Sequence, residues 1–130
     1  MAQNSEQLVR QVFETLSDFN RPAEEMLAFF TEDYRQLVDG KELGLNDFLI
    51  HIKALRQKLK ALEIDIQHII SNNDAAATVH IAHVTRASGK KSRIKVVAFY
   101  SFRDGKIAFV DELTHPLEGK EGDQALGSVQ

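Results

Sequence analysis

The sequence predicts a single α+β domain in which three helices precede a set of long antiparallel strands. Three observations lead to this prediction. Apolar residues recur at helical spacing as far as residue 62, and from residue 63 onward they alternate with polar residues as in a half-buried strand. The dipeptide Asp104-Gly105 separates two apolar runs and suits a two-residue type I′ hairpin turn, because both residues accept a positive φ.

The helices are predicted in the N-terminal half. The first covers residues 5–19 with Asn4 as its N-cap, and Pro22 suits the first turn of a short second helix. A short strand over Tyr34–Val38 ends at an Asp39-Gly40 turn, and Asn46 is the expected N-cap of the third helix. The basic residues of that helix are interpreted as a solvated face: Lys53, Arg56, Lys58 and Lys60.

Four long antiparallel strands are predicted after residue 63, with turns near residues 71–74, 88–90 and 104–105. The segment 117–130 contains three glycines and has little periodicity, so we expect a loosely ordered tail. Residues 1–130 are therefore predicted to form one domain.

Composition limits the function classes. The formal net charge of −3 disfavours nucleic acid as a partner, because neutralising phosphates requires clustered positive charge. The sequence has no cysteine, which excludes disulfides, thiol nucleophiles and cysteine metal sites. No apolar run approaches the roughly 20 residues that span a bilayer. We therefore expect a cytoplasmic protein without a membrane partner, and no cofactor-binding fingerprint is present.

The C-terminal hairpin predicts two apolar faces. Strict alternation places Asp111 and Glu112 on opposite faces of the sheet. One predicted face holds Ile94, Val96, Ala98, Tyr100, Phe102, Ile107, Phe109, Asp111 and Leu113, and the other holds Val97, Phe99, Ala108, Val110, Glu112 and Thr114. Three helices can cover only one of them, so we expect a homodimer through the outer sheet face.

Several local motifs carry a resemblance to a known family. The second helix runs into Phe29-Phe30-Thr31-Glu32-Asp33-Tyr34, and Gly44 precedes the third helix. The hairpin reads Tyr100-Ser-Phe-Arg-Asp-Gly-Lys-Ile107, and Asp111-Glu-Leu-Thr-His115 follows it. Together these features resemble the nuclear transport factor 2-like (NTF2-like) superfamily and, within it, the SnoaL-like group. The resemblance implies a cone-shaped fold in which a strongly bent antiparallel sheet encloses a cavity, and a homodimer through the outer sheet face.

The superfamily contains isomerases, cyclases, dehydratases, epoxide hydrolases and non-catalytic binding or scaffold proteins, so the fold does not select a function. Its ketosteroid isomerases use an acid near the first strand, a tyrosine in the first helix and a protonated acid. The corresponding positions here fall at Val38 or about Arg35, and near Phe13. These side chains lack the required groups, so ketosteroid isomerase activity is not expected.

Glu112 is the principal catalytic candidate. A carboxylate in an apolar cavity has a raised pKa and can act as general acid or base, with His115 and Tyr34 as possible assistants. The alternative is a structural ion pair between Glu112 and Arg93, Lys95 or His115 at the sheet edge. Asp111 is interpreted as a polar group of the dimer face, and Tyr34 has the alternative of an aromatic residue packed on the second helix.

The residues expected to line the cavity are Phe13, Phe30, His51, His80, Phe99 and Val110. For His51, His80 and His115 the alternative is a histidine satisfied in the core or at its boundary. His80 and His83 are three residues apart on one strand and therefore face opposite sides, so no metal site is predicted.

Three functional hypotheses remain. The first is a homodimeric protein that binds an unidentified small molecule in a largely apolar cavity. The second is a cofactor-free lyase, isomerase or hydrolase that uses Glu112 on a small, mostly apolar substrate. The third is a protein-interaction or accessory module.

Overall fold

The computed structural model describes residues 4–117 and has the predicted α+β organisation. Its helices are α1 (Ser5–Ser17), a 3₁₀ helix (Ala23–Phe29) and α2 (Leu45–Lys58). Its strands are β1 (Phe30–Val38), β2 (Lys41–Gly44), β3 (Leu59–Ser71), β4 (Ala75–Arg86), β5 (Lys91–Arg103) and β6 (Lys106–Pro116). Apart from Leu117, the tail predicted over residues 117–130 lies outside the described residues.

The six strands form one sheet in the order β2-β1-β6-β5-β4-β3. Every neighbouring pair is antiparallel except β1 and β6, which run parallel. The four long strands are antiparallel as predicted, but the sheet as a whole is mixed, because the first strand lies parallel to the last one. The helices pack against the sheet, with α1 on β3 and β4 and α2 on β1, β2 and β3. Within residues 4–117 the sheet is not closed.

The N-cap of α1 is the predicted residue, whereas the N-cap of α2 is a different one. Asn4 caps α1, since its side-chain oxygen accepts a hydrogen bond from the Glu6 N–H at 2.8 Å. The N-cap of α2 is Gly44, whose N–H donates to the Asp47 carboxylate at 3.4 Å. The predicted cap Asn46 lies inside the first turn, because Asp47 takes the role of reaching back to the chain before the helix.

Arg56 of α2 is a structural residue and not part of a solvated face. Its guanidinium donates hydrogen bonds to the carbonyls of Thr15 at 3.1 Å, Leu16 at 3.3 Å and Asp18 at 3.2 Å, and also to that of Arg21. These carbonyls lie in the last turn of α1 and in the chain that follows it, where backbone acceptors lack helical donors. One side chain thus joins α2 to the C-terminal end of α1.

Two type I′ turns shape the sheet. Asp104 and Gly105 have φ angles of 56° and 76°, which confirms the predicted hairpin turn between β5 and β6. Asp39 and Gly40 adopt the same left-handed conformation, with φ angles of 52° and 85°, between β1 and β2. The predicted turn at residues 39–40 is therefore also confirmed.

A β-bulge lies in β6 a few residues beyond the hairpin turn. Phe102 pairs with Ile107 as predicted, but Ser101 pairs with Phe109, so Ala108 has no partner on β5. From this point the β5–β6 register differs from the prediction by one residue. Tyr100 pairs with Val110 instead of Phe109.

The bulge also changes which residues face the helices. Ala98 lies opposite Glu112 instead of Asp111, so these two residues are on the same face. Val97 and Phe99, which were predicted to share a face with Glu112, lie on the opposite face of the sheet. The side chains that face the helices from β5 and β6 are Ile94, Val96, Ala98, Tyr100, Val110, Glu112 and Thr114.

Candidate functional site

A pocket of about 150 Å³ lies between the helices and the inner face of the sheet. Most of its lining is apolar, including Val12, Met26, Ile52, Val96 and Ile107. Its polar lining consists of Tyr34, Gln36, His51, His80, Tyr100, Glu112 and Thr114. An apolar cavity of about 150 Å³ holds a molecule the size of benzene, whereas pockets for drug-sized ligands measure roughly 300–1,000 Å³. The pocket as it stands has room for a single ring.

Glu112 contributes a carboxyl group to this pocket from the middle of β6. The structure gives that carboxyl no hydrogen-bond partner among residues 4–117. Ala98, directly across on β5, has no bulk to fill the space beside it. Glu112 thus lines the pocket and Asp111 is exposed, so the two carboxylates lie on opposite sides of the strand as alternation requires.

The surroundings of Glu112 favour its neutral form. Burial raises the pKa of the Glu112 carboxyl to about 7, and the nearby negative charges of Asp39 and Asp111 add to this effect. The ordinary value for a glutamate is 4.5. At neutral pH the group is therefore divided between its protonated and ionised forms, which suits a general acid or base.

Asp39 ties the β1–β2 turn to the strand that carries Glu112. Its carboxylate accepts hydrogen bonds from the Thr114 N–H at 2.8 Å and from the Thr114 hydroxyl at 2.6 Å. The Asp39 N–H donates to the backbone carbonyl of Glu112 at 3.0 Å. These three bonds hold β6 in place from the Glu112 carbonyl to Thr114.

Tyr34 and Gln36 reach the pocket from β1 on the same side of the strand. The Tyr34 hydroxyl donates to the Gln36 side-chain oxygen at 2.6 Å, and both side chains are buried. Burial raises the pKa of the Tyr34 hydroxyl well above its usual value, and the charge of Glu112 acts in the same direction. Tyr34 is therefore a neutral hydroxyl close enough to Glu112 to respond to its charge.

A second set of polar groups connects β4 and β5. The Thr78 hydroxyl lies 2.8 Å from the Tyr100 hydroxyl and 2.9 Å from Nδ1 of His80. Burial lowers the pKa of His80 to about 4, so its imidazole is neutral at pH 7. Burial likewise raises the pKa of Tyr100 well above the ordinary range. The three side chains form a neutral hydrogen-bonded chain beside the pocket.

His51 enters the pocket lining from α2. It is buried, and among the described residues its Nδ1 has no hydrogen-bond partner. Burial, together with the positive charge of Lys58, lowers the pKa of His51 to about 4. A neutral imidazole with an unused nitrogen therefore borders the space, in addition to the unused carboxyl of Glu112.

Three of the apolar candidates also lie where they were expected. Phe30 is buried with its ring 4.6 Å from that of Tyr34, and Val110 lines the pocket from β6. The Phe13 ring lies 4.6 Å from the His80 ring, measured between centroids. Tyr34 thus packs on Phe30, the first residue of β1, and also borders the pocket.

Two of the predicted site residues lie elsewhere. Phe99 is 46% exposed on the outer face of the sheet, because the bulge at Ala108 reverses its side relative to Glu112. His115 is exposed and pairs with Lys95 on the same outer face, one residue out of phase with Glu112 and with Thr114. The expectation that these two side chains approach the pocket is wrong, and an ion pair between Glu112 and His115 is likewise not formed.

Five polar residues of the site were not predicted from the sequence: Gln36, Asp39, Thr78, Tyr100 and Thr114. Gln36 and Thr78 could have been found, because each is two positions from a predicted candidate on the same strand. Tyr100 was assigned to the outer face, and Phe99 to the inner face, because the predicted register lacked the bulge at Ala108.

Within residues 4–117 no group of three or more His, Asp or Glu side chains is placed to hold a metal ion. His80 points inward, while His83 is partly exposed with its Nε2 4.0 Å from an Asp65 carboxylate oxygen. Among the helices of that same range, none has the length and apolar character that crossing a membrane requires.

Comparison with known proteins places this geometry in a family. The model of the SnoaL-like domain matches residues 9–110. An uncharacterized protein of Schizosaccharomyces pombe is 55% identical over 130 residues, with 100% of each chain covered.

Solved structures share the fold at low sequence identity. A SnoaL-like polyketide cyclase from Agrobacterium tumefaciens superposes with a TM-score of 0.74 at 15% identity, covering 87% of this chain and 92% of that one. An NTF2-like protein of unknown function from Burkholderia pseudomallei has a TM-score of 0.71 at 16% identity, covering 96% and 97%. At these identities the likeness shows the fold, and it confirms the predicted fold class.

The raised pKa of Glu112 predicts a specific pH dependence of stability. The folded protein keeps the Glu112 proton up to pH about 7, whereas the unfolded chain releases it near 4.5. Stability is therefore lost as the pH rises through this window. We expect Glu112→Gln to exceed wild type in free energy of unfolding by about 3 kcal/mol at pH 8 and to equal it near pH 4. Urea denaturation at both pH values measures this difference.

Asp111→Asn is the matched control for this measurement, because Asp111 is adjacent in sequence but exposed on the opposite face. It keeps Glu112 and should retain most of the wild-type dependence on pH, because burial is the largest cause of the raised Glu112 pKa and the charge of Asp111 is a smaller one. A Glu112→Gln advantage of the same size at pH 4 and pH 8 would contradict the assignment of the titration to Glu112.

Proposed function

Because the chain belongs to the SnoaL-like domain family, we propose that it binds a small, uncharged and mostly apolar molecule in its interior pocket. The volume of about 150 Å³ supports a ligand of one ring with few substituents. The mainly apolar lining supports a ligand that gains most of its binding free energy from leaving water.

The observation that carries this proposal is the pair of unused polar groups in the lining. The Glu112 carboxyl and Nδ1 of His51 have no hydrogen-bond partner among residues 4–117, although both side chains lie inside the fold. Buried polar groups are nearly always hydrogen-bonded, and the exceptions call for a bound molecule or a functional role. Burial also shifts the pKa values of Glu112, His51 and His80 toward neutral forms, so the pocket favours an uncharged ligand.

Phenol is a suitable probe, because it combines one apolar ring with one hydroxyl. At pH 6 we expect it to bind wild-type protein with a Kd of about 1 mM or lower, as judged by what a seven-atom ligand can achieve. Ala82 lines the pocket on β4, so Ala82→Leu adds a bulky side chain to the space and should weaken binding at least tenfold. Titration followed by protein NMR shifts measures both affinities.

Ala77→Leu is the matched control, since Ala77 lies on the same strand but faces the outer side of the sheet. It should retain the wild-type affinity for phenol. Equal affinity in wild type and Ala82→Leu, with both proteins folded by circular dichroism, would place the phenol outside the pocket and contradict the proposal.

A second candidate function, proton-transfer catalysis, is favoured by one observation. The Glu112 carboxyl has a pKa of about 7, has no hydrogen-bond partner in the described chain and belongs to a residue that lines the pocket. A general base is most effective when its pKa is near the working pH. In this proposal the Glu112 carboxylate removes a proton from a carbon next to a carbonyl of the ligand. The product pair is an enolate and a protonated Glu112, and returning the proton to another carbon completes an isomerisation.

Deuterium exchange tests the catalytic candidate without knowledge of the natural substrate. Cyclohex-2-enone has the size of one ring and carries exchangeable hydrogens beside its conjugated carbonyl. In D₂O at pH 7 we expect wild-type protein to accelerate exchange, and Glu112→Gln to lower that acceleration by ~10²-fold or more while affinity changes little. Proton NMR follows the signal loss. Full exchange activity in Glu112→Gln would exclude Glu112 as the base, whereas Asp111→Asn should remain active.

We further propose that two copies of the chain associate through the outer face of the sheet. That face exposes a group of apolar side chains: Val97 is 52% exposed, Leu113 64%, and Phe99 46%. Val97 lies between Val79 and Leu113 in the sheet register, so the exposed residues are contiguous. Monomeric soluble proteins rarely expose an apolar patch of this kind, and a two-fold dimer covers it with an identical patch.

Substitution of Leu113 tests the proposed dimer. We expect wild-type protein to sediment as a dimer at micromolar concentration and Leu113→Asp to sediment as a monomer, because a charge in an apolar interface loses its hydration. Ile50→Asp is the matched control, since Ile50 is 53% exposed on α2, away from the outer sheet face. A monomeric wild type, or loss of the dimer in both variants, would contradict association through this face.

A further inference from the structure

Two recesses of the molecule share one wall. Besides the interior pocket, a groove of about 440 Å³ runs between α1 and β3 at the surface. Three side chains line both spaces: Phe13 from α1, and Leu62 and Ile64 from β3. These three residues therefore form part of the wall between the pocket and the groove.

Phe13 is the largest part of this wall. Its ring contacts the interior polar chain, with centroids 4.6 Å from His80 and 6.4 Å from Tyr100. The same residue is partly exposed toward the groove, where Glu14 and Ser17 follow it on α1. One side of the ring therefore faces the site, and the other side faces the surface.

We propose that Phe13 is the specificity-determining residue that limits the length of the ligand. The inference rests on the proposed binding function of the pocket. A single ring fits within about 150 Å³, but a ring with a longer substituent has to extend past Phe13 into the groove. With the ring in place, a long substituent meets the wall. Without it, the pocket and the groove form one continuous channel.

The groove offers a suitable environment for the outer part of a longer ligand. Its lining combines the apolar side chains of Leu62, Ile64 and Ile66 with Ser17 and with charged residues nearer the solvent, namely Arg10, Glu14, Asp18 and Glu63. An alkyl substituent that reaches the groove would cover apolar surface there while its end meets water. Each additional methylene buried in this way should tighten binding about fourfold.

A series of para-substituted phenols tests the proposal, from phenol to 4-hexylphenol, with the affinity of each measured by calorimetric titration at pH 6. For wild type we expect affinity to rise over the first one or two carbons and then to fall. For Phe13→Ala we expect the rise to continue by about fourfold per carbon over at least two more carbons. Phe13→Leu preserves more of the packing and should move the length limit, the substituent length at which affinity stops rising, by a smaller amount. It replaces the alanine variant if that variant does not fold.

Phe29→Ala is the control, because Phe29 is a partly buried phenylalanine of the 3₁₀ helix that packs on the core but lines neither recess. It should keep the wild-type length limit. The same limit in wild type and in the Phe13 variants would overturn the proposal, as would an equal shift in Phe29→Ala. If no phenol binds to any of these proteins, the proposed binding function fails as well, whereas binding with an unmoved limit overturns the role of Phe13 alone.

Discussion

The unpaired residue Ala108 is the constraint on which the arrangement of the site depends. Its bulge in β6 changes the β5–β6 register by one, so that Glu112 and Tyr100 face the same side of the sheet. Without the extra residue, Glu112 would lie on the face that carries Phe99. Bulges are common beside active sites because they redirect a side chain without ending the strand. A single unpaired residue thus decides which carboxyl is surrounded by apolar side chains.

The interior is mostly apolar but contains a group of polar side chains. Most of these side chains form hydrogen bonds with one another. Tyr34 donates to Gln36, and the Thr78 hydroxyl bonds to His80 and Tyr100. Glu112 does not, and its raised pKa means that folding at neutral pH is opposed by the cost of burying the ionised form. Asp39 fixes the backbone beside it with three hydrogen bonds. A carboxyl that is held in place and left unpaired in this way is typical of a site where a ligand supplies the missing partner.

The two faces of the sheet differ in how their apolar side chains are covered. The inner face is covered by the helices, which Arg56 holds together by binding the carbonyls at the end of α1. The outer face keeps exposed apolar residues such as Leu113, which the proposed second copy of the chain would cover. The helices therefore cover the inner face and the pocket, and none of those in residues 4–117 covers the outer face.

The sequence by itself determined the fold class, the type I′ turn at residues 104–105, the turn at residues 39–40, and the opposite facing of Asp111 and Glu112. These features depend on local propensity and on alternation along one strand. Only the tertiary structure decided the parallel pairing of β1 with β6, the partners of Arg56 and the side on which Phe99 and Tyr100 lie. Those features depend on contacts between distant segments. The bulge in particular was not predictable, because it shifts the alternation of β6 by one residue and both faces of this hairpin are apolar, so the shift leaves no break in the pattern.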